Sequence, residues 1–137
     1  PGTDGQKMSK SKNNTIDVFL PEKNLRKQIM SIQTDSIPIH DPKDPKSCNV
    51  FSLYSILASK TETEILKEKY LLGGLGYGQA KQELFDLILT RFHKERENYN
   101  YYLQNPEEVN SALSKGAEKA RRVAKKVLLR VRNKIGY

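Results

Sequence analysis

Several things are scarce in this chain, and each scarcity closes a door. One cysteine, Cys48, is present in 137 residues, which excludes an internal disulfide framework and any multi-thiolate metal site. His40 stands in a proline-containing connection with no partner at ligand spacing, and His93 lies between Arg91 and Lys94 in a charged segment; no metal is expected on either. Mean hydropathy is −0.70, and no apolar run approaches the ~20 residues that a membrane span needs. Strand-like alternation of apolar and polar residues is nearly absent, so the chain reads as all-α. A Walker loop, GxxxxGK[ST] between a strand and a helix, is missing as well. The first residue is Pro1, with no initiator Met and no signal-like segment in the sequence, so it is expected to be a piece of a longer chain whose start carries no targeting information. Its length suits one domain with a modest core.

Charge is plentiful but concentrated. Lys and Arg number 24 against 16 Asp and Glu, for a net +8. Nine basic residues and a single acid, Glu118, fall between Lys115 and Lys134, and the remaining residues balance. The basicity is therefore one local feature. Clustered positive charge is what a polyanion-binding surface requires, since displaced counterions supply affinity independent of sequence. A solvated, lysine-rich helix face would look the same from charge alone.

Residues 1–14, PGTDGQKMSKSKNN, form a Gly-, Lys- and Ser-rich loop in which Met8 is the one clearly apolar side chain. A helix is predicted after Pro21, through Leu25, Ile29 and Met30. Thr34 to Asp44 reads as a connection. Asp44 is a candidate N-cap, with Pro45 at N1, for a helix through Val50, Phe51, Tyr54, Leu57 and Ala58. Thr61 and Glu64 have capping-box spacing for a helix through Ile65, Leu66 and Tyr70. GGLGYG, Gly73 to Gly78, ends that helix and opens a long one through Ala80, Leu84, Leu87, Ile88 and Phe92, with Tyr99, Tyr101 and Tyr102 near its end. Asn105-Pro106-Glu107-Glu108 reads as N-cap, N1 proline and two acids facing the positive helix end. On a wheel of ~100° per residue, Val109, Leu113, Ala120, Ala124, Val127 and Val131 make one apolar stripe. Arg121, Lys125 and Arg132 lie on one flank of it, and Lys115, Arg122 and Lys126 on the back.

Lys7-Met8-Ser9-Lys10-Ser11 is the segment that can carry chemistry. Two lysines three apart on a flexible loop can set two ammonium groups on neighbouring phosphate oxygens. Two serines can donate hydroxyl hydrogen bonds, and Gly2 and Gly5 allow the backbone to approach a ligand or to move. Such a loop suits charge that develops on a leaving group in phosphoryl or nucleotidyl transfer. A disordered Lys/Ser-rich terminus has the same composition.

KMSKS is also the second signature of the class I aminoacyl-tRNA synthetases. PGTDGQKMSKSKNNTIDVF resembles their tryptophanyl branch, of bacterial type. Thr34-Asp35-Ser36, CNVFSLY from Cys48, GGLGYGQAK from Gly73 and EKAR from Glu118 are similar to that branch in the same order, whereas the tyrosyl branch usually carries a KFGKT-like loop. The resemblance implies that residues 1–14 are the KMSKS loop at the end of a Rossmann-type catalytic domain. It further implies that residues 15–137 are a helical C-terminal, anticodon-binding domain. It implies an activity in which tryptophan is activated with ATP, Mg2+ being expected with the nucleotide, and then transferred to tRNA(Trp) by a cytoplasmic homodimer. In that reading Lys7 and Lys10 are catalytic and hold the pyrophosphate, with Lys10 the more important. Met8 (through its backbone), Ser9 and Ser11 complete the ATP contacts, and Gly2 and Gly5 permit the loop to close and open. Arg121, Arg122, Lys125, Lys126, Arg130 and Arg132 are the candidates for tRNA phosphates. The other class I signature, HIGH, is absent, so the chain alone is expected to be inactive and largely monomeric. The alternative is a non-catalytic helical RNA-binding or interaction module with a vestigial KMSKS.

Other constellations carry less. GGLGYG precedes a helix N-terminus, where anions bind, yet no strand leads into it, and a helix–helix turn using glycine's positive φ accounts for it. The three tyrosines could stack on unpaired bases or pack in a core or helix-end cluster. Asp35 is assigned a capping role and no chemistry.

Overall fold

The computed structural model describes residues 1–136, and among these the regular structure is helical throughout. Six α-helices follow a short 3-10 turn at Lys10–Lys12: α1 Glu22–Met30, α2 Asn49–Leu57, α3 Lys60–Leu72, α4 Tyr77–Arg91, α5 His93–Gln104 and α6 Pro106–Ile135. No strand is present among the described residues, and no helix is long and apolar enough to cross a membrane. By internal contacts the chain divides into two units, Pro1–Arg96 and Glu97–Tyr137.

The first unit is built around α4. Its apolar residues Ala80, Leu84, Phe85, Leu87 and Ile88 are buried and meet α1 and α2, while α2 also packs on α3. Leu25 and Ile29 from α1, Val50 and Leu53 from α2, and Leu66 and Tyr70 from α3 complete the core. Tyr70 is fully buried. Its ring meets Phe51 edge-on at 5.5 Å and Tyr77 at 6.4 Å, and its hydroxyl lies 3.4 Å from Cys48 Sγ. A surface ion pair of 2.9 Å, Lys69 to Glu83, links α3 to α4.

A buried lysine holds the connection between α1 and α2. Lys43 is 2% exposed; its ammonium donates to the carbonyls of Pro38 at 2.8 Å and Asp41 at 3.0 Å and lies 5.4 Å above the Tyr77 ring. Carbonyl acceptors and an aromatic face together offset the desolvation that an unpaired buried cation would suffer. At the other edge of the unit, Arg96 donates to the carbonyls of Val18 and of Leu20, the latter at 2.9 Å, and so fixes the chain entering α1.

The predicted elements exist, with local corrections. Helix α2 starts at Asn49 with Cys48 as N-cap, not at Pro45: Asp44 Oδ1 accepts from the Lys46 amide at 2.9 Å, so Asp-Pro closes a turn ahead of the helix. The capping box is Ser59 with Glu62, each side chain bonded to the other's backbone amide, two residues earlier than Thr61 with Glu64. Both pairs fit the S/T-x-x-E spacing, and Thr61 lies inside the helix. The long helix after GGLGYG ends at Arg91, and α5 begins at His93. Neither Gly nor Pro marks that break at Phe92. Asn105 does precede α6, but its side chain makes no capping bond and instead donates to the Tyr101 carbonyl at 2.8 Å.

In the second unit, α6 has no buried residue. Its apolar stripe is open: Val109 is 38% exposed, Leu113 65% and Val131 47%.

Candidate functional site

The KMSKS segment is ordered by a side chain that follows it. Asn14 is 2% exposed and places its amide inside the loop. The Nδ2 group donates to Asp4 Oδ1 at 2.8 Å and to the Lys7 carbonyl at 3.2 Å, while Oδ1 accepts the Ser9 amide at 2.7 Å. One residue thereby grips the backbone on both sides of Met8. The Asn14 carbonyl accepts from the Thr3 amide at 2.9 Å, and the Thr3 carbonyl accepts from the Gln33 amide at 2.7 Å. That last bond ties the loop to the chain just past α1. Asp4 is held ionised to below the ordinary aspartate range by the bond from Asn14 and then by that from the Gln6 amide.

Gly2 and Gly5 each have a packing reason to be glycine in this conformation of the loop. A Cβ on Gly2 would fall 2.5 Å from the Asn14 carbonyl oxygen. Gly5 has φ +79°, and a Cβ there would meet Asn49 Nδ2 at 2.8 Å. Both positions require glycine for close packing and a left-handed turn.

With its backbone held in this way, the segment turns its polar side chains outward. Lys7, Lys10 and Ser11 are exposed and Ser9 is half-buried. Neither Lys7 nor Lys10 forms an ion pair among the described residues. Lys10 opens the 3-10 turn, which Asn13 closes in the left-handed conformation. The Ser9 and Ser11 hydroxyls are 2.9 Å apart, so one donates to the other and the second keeps its proton for a ligand. Two unpaired ammonium groups and two hydroxyls on a fixed backbone make an anion-binding surface, with strength set by charge and little reorganisation needed. Met8, between the lysines, is 38% exposed and lines an apolar cleft.

Arg121, Arg122, Lys125, Lys126, Arg130 and Arg132 are all exposed on α6. Arg121 and Lys125 border an apolar groove formed by Ala124, Val127, Leu128 and Val131. Tyr99, Tyr101 and Tyr102 are 42%, 48% and 49% exposed, so the core placement weighed for them does not hold. Tyr101 and Tyr102 instead meet edge-on at 5.4 Å, and the Tyr101 hydroxyl donates to Glu108, which raises its pKa. GGLGYG is the helix–helix turn expected of it. Gly73 and Gly74 have φ +78° and +83°, and a Cβ on Gly73 would collide with the His40 carbonyl oxygen at 2.4 Å. Asp35 accepts the Tyr77 hydroxyl at 2.6 Å and the Ile37 amide at 3.0 Å, a structural use. No group of three His, Cys, Asp or Glu side chains that could hold a metal occurs among the described residues.

Sequence reasoning missed Asn14, Lys43 and Arg96. Each acts through side-chain bonds to backbone carbonyls or amides, which no spacing in the sequence encodes.

A KMSKS segment ending an irregular loop, followed by this helical unit, is the arrangement of a known class: the chain belongs to the tRNA synthetases class I (W and Y), whose family model matches residues 1–93. Within that class, the chain is 44% identical over 135 residues to the tryptophan–tRNA ligase of Campylobacter jejuni (strain RM1221), a match covering 98% of this chain and 42% of that protein. It is 42% identical over 136 residues to the tryptophan–tRNA ligase of Fusobacterium nucleatum subsp. nucleatum, covering 99% of this chain and 42% of the relative. The crystal structure of tryptophanyl-tRNA synthetase from Campylobacter jejuni complexed with ADP and tryptophan superposes with a TM-score of 0.95 at 43% identity, over 99% of this chain and 43% of that one. The chain therefore spans less than half the length of these relatives.

Proposed function

We propose that this chain is the C-terminal part of a tryptophan–tRNA ligase and supplies its KMSKS loop and a helical tRNA-binding region. In that reading, residues 1–14 complete an ATP site whose amino-acid pocket lies elsewhere in a longer, homodimeric cytoplasmic enzyme, and residues 15–137 bind tRNA(Trp). The observation that carries the proposal is the Asn14-held loop, which presents Lys7 and Lys10 as unpaired cations beside the Ser9–Ser11 hydroxyl pair.

The tryptophan carboxylate attacks the α-phosphate of ATP, forming tryptophanyl-adenylate and expelling pyrophosphate. Negative charge grows on the leaving phosphates as the bond breaks. Lys10, at the start of the 3-10 turn, and Lys7, at its approach, neutralise that charge, and the Ser9–Ser11 pair donates its remaining hydroxyl proton to the same oxygens. Because the backbone that carries them is held before the reaction, the cations can favour the transition state over bound ATP. The aminoacyl group then passes to a hydroxyl at the tRNA 3′ end, with AMP as the leaving group. Any Mg2+ travels with the ATP phosphates, since the loop offers cations and its carboxylate, Asp4, is bonded to Asn14 and Gln6. Arg121, Arg122, Lys125, Lys126, Arg130 and Arg132 contact tRNA phosphates as salt-sensitive, sequence-independent partners.

Lys10→Ala in the full-length enzyme tests this reading. Tryptophan-dependent ATP–pyrophosphate exchange should lose roughly 10²–10³-fold in kcat, with little change in KM for ATP. A loss confined to KM rejects the transition-state role, and an unchanged rate favours a vestigial loop.

A further inference from the structure

The KMSKS segment has two anchors, and the polar one, Asn14, is described above. The second is apolar. An apolar cleft of about 220 Å³ lies between the loop and the helical bundle. Leu53 from α2 and Leu84 and Ile88 from α4 form its buried floor. Ile16 and Val18 close one side, and Arg96 pins that stretch by donating to the Val18 and Leu20 carbonyls. Met8 forms part of the rim, together with the exposed Ile56. All of these residues belong to the first unit.

Met8 is the one apolar side chain in Lys-Met-Ser-Lys-Ser, and it stands directly after Lys7 and two residues before Lys10. An unbranched thioether adapts to an irregular apolar wall better than a branched or polar chain does. On the Lys7 and Ser9 side of the backbone Asn14 supplies hydrogen bonds, and on the cleft side Met8 supplies apolar contact. Together they leave the backbone that carries the two lysines little freedom to drift. We propose that Met8 is a positioning residue: seated against the α2–α4 cleft, its side chain sets where Lys7 and Lys10 present their charge, and so couples the loop to the helical bundle. This proposal rests on the ATP role given to the lysines above. It matters because displacement of a charge-stabilising group by about 1 Å can cost up to ~10²-fold in rate.

The test uses the full-length enzyme with Met8→Gln, which keeps chain length and removes the apolar end, and Met8→Leu, which keeps the apolar character. Met8 is on the rim, so neither variant threatens the core, and unchanged amide exchange in α2 and α4 verifies that. Met8→Gln should raise deuterium exchange across residues 7–14 about 5-fold or more. It should also lower kcat for ATP–pyrophosphate exchange about 10-fold without moving KM for tryptophan. Met8→Leu should stay within about 2-fold of the parent in both. Unchanged exchange over residues 7–14 in Met8→Gln overturns the proposal. So does faster exchange with an unchanged kcat, provided Lys10→Ala has lowered kcat. If Lys10→Ala is itself without effect, the ATP reading fails first, and the positioning role in catalysis falls with it.

Discussion

Helices α4 and α6 carry the same kind of pattern and have opposite fates. In α4, Ala80, Leu84, Leu87 and Ile88 recur at helical spacing and are buried, Leu84 completely. In α6, Val109, Leu113, Val127 and Val131 recur just as regularly, and every one is exposed. Periodicity identifies which face of a helix is apolar; it does not say whether anything covers that face. The surroundings decide that. Helix α4 has α1 and α2 against it, whereas the groove along α6 is bordered by Arg121 and Lys125. Stability and presentation are thus divided along the chain, with the core in the first unit and the dense positive charge in the second.

The comparison breaks most visibly under a matched pair of substitutions. Leu84→Ala removes a wholly buried side chain and should cost about 2–5 kcal/mol, by transfer and by the cavity left behind. Leu113→Ala removes the same atoms from a 65% exposed position and should stay within about 0.5 kcal/mol. Urea unfolding of both variants reads the difference directly. If Leu113→Ala costs as much as Leu84→Ala, the α6 stripe is covered in solution and the two helices do not differ in burial.

A smaller effect separates the helix starts. Ser59 accepts from the Glu62 amide, and Glu62 accepts from the Ser59 amide at 2.6 Å, so Ser59→Ala should cost about 1 kcal/mol. Asn105 makes no bond to an α6 amide, its side chain donating instead to the Tyr101 carbonyl, and Asn105→Ala should cost less than half as much. Equal losses in the two variants would show that Asn105 turns its side chain to the α6 amides in solution.

Much of this was legible in the sequence for identifiable reasons. GGLGYG declared a turn because Gly73 and Gly74 need positive φ, and Pro106 marked a helix start because proline fits the first turn, while Pro21 stands just outside α1 as its N-cap. The helix boundaries that went astray were those with two competing signals, Ser59 against Thr61, or with a proline used in a turn, as at Asp44-Pro45. The break at Phe92 had no signal at all. For the loop, the segment Lys7–Ser11 announced itself, but what holds it did not. Asn14 reads as one more polar residue in a polar run, and only the folded chain reveals its amide bonded to Asp4, Lys7 and Ser9. What Gly2 and Gly5 do for packing was hidden for a related reason, since glycine's permissiveness looks the same whether it serves motion or close packing.

The smallest effect sharpens the comparison within the first unit, between its apolar core and its polar loop. Asp4 is more acidic than an ordinary aspartate because its ionised form accepts from Asn14 and Gln6. A depressed pKa in the folded state means that the ionised carboxylate contributes order above the ordinary aspartate range. That contribution disappears as pH falls through the depressed value. Amide exchange of residues 6–14, corrected for its intrinsic pH dependence, should therefore speed up only at acid pH, below the range where free aspartates titrate. The core amides of α4 should show no matching step there. Asp4→Asn retains an acceptor without the charge, so its loop should be somewhat less protected at neutral pH and should lose the acid transition. A transition that persists in Asp4→Asn would assign the titration to another group and leave Asn14 holding the loop through Lys7 and Ser9 alone.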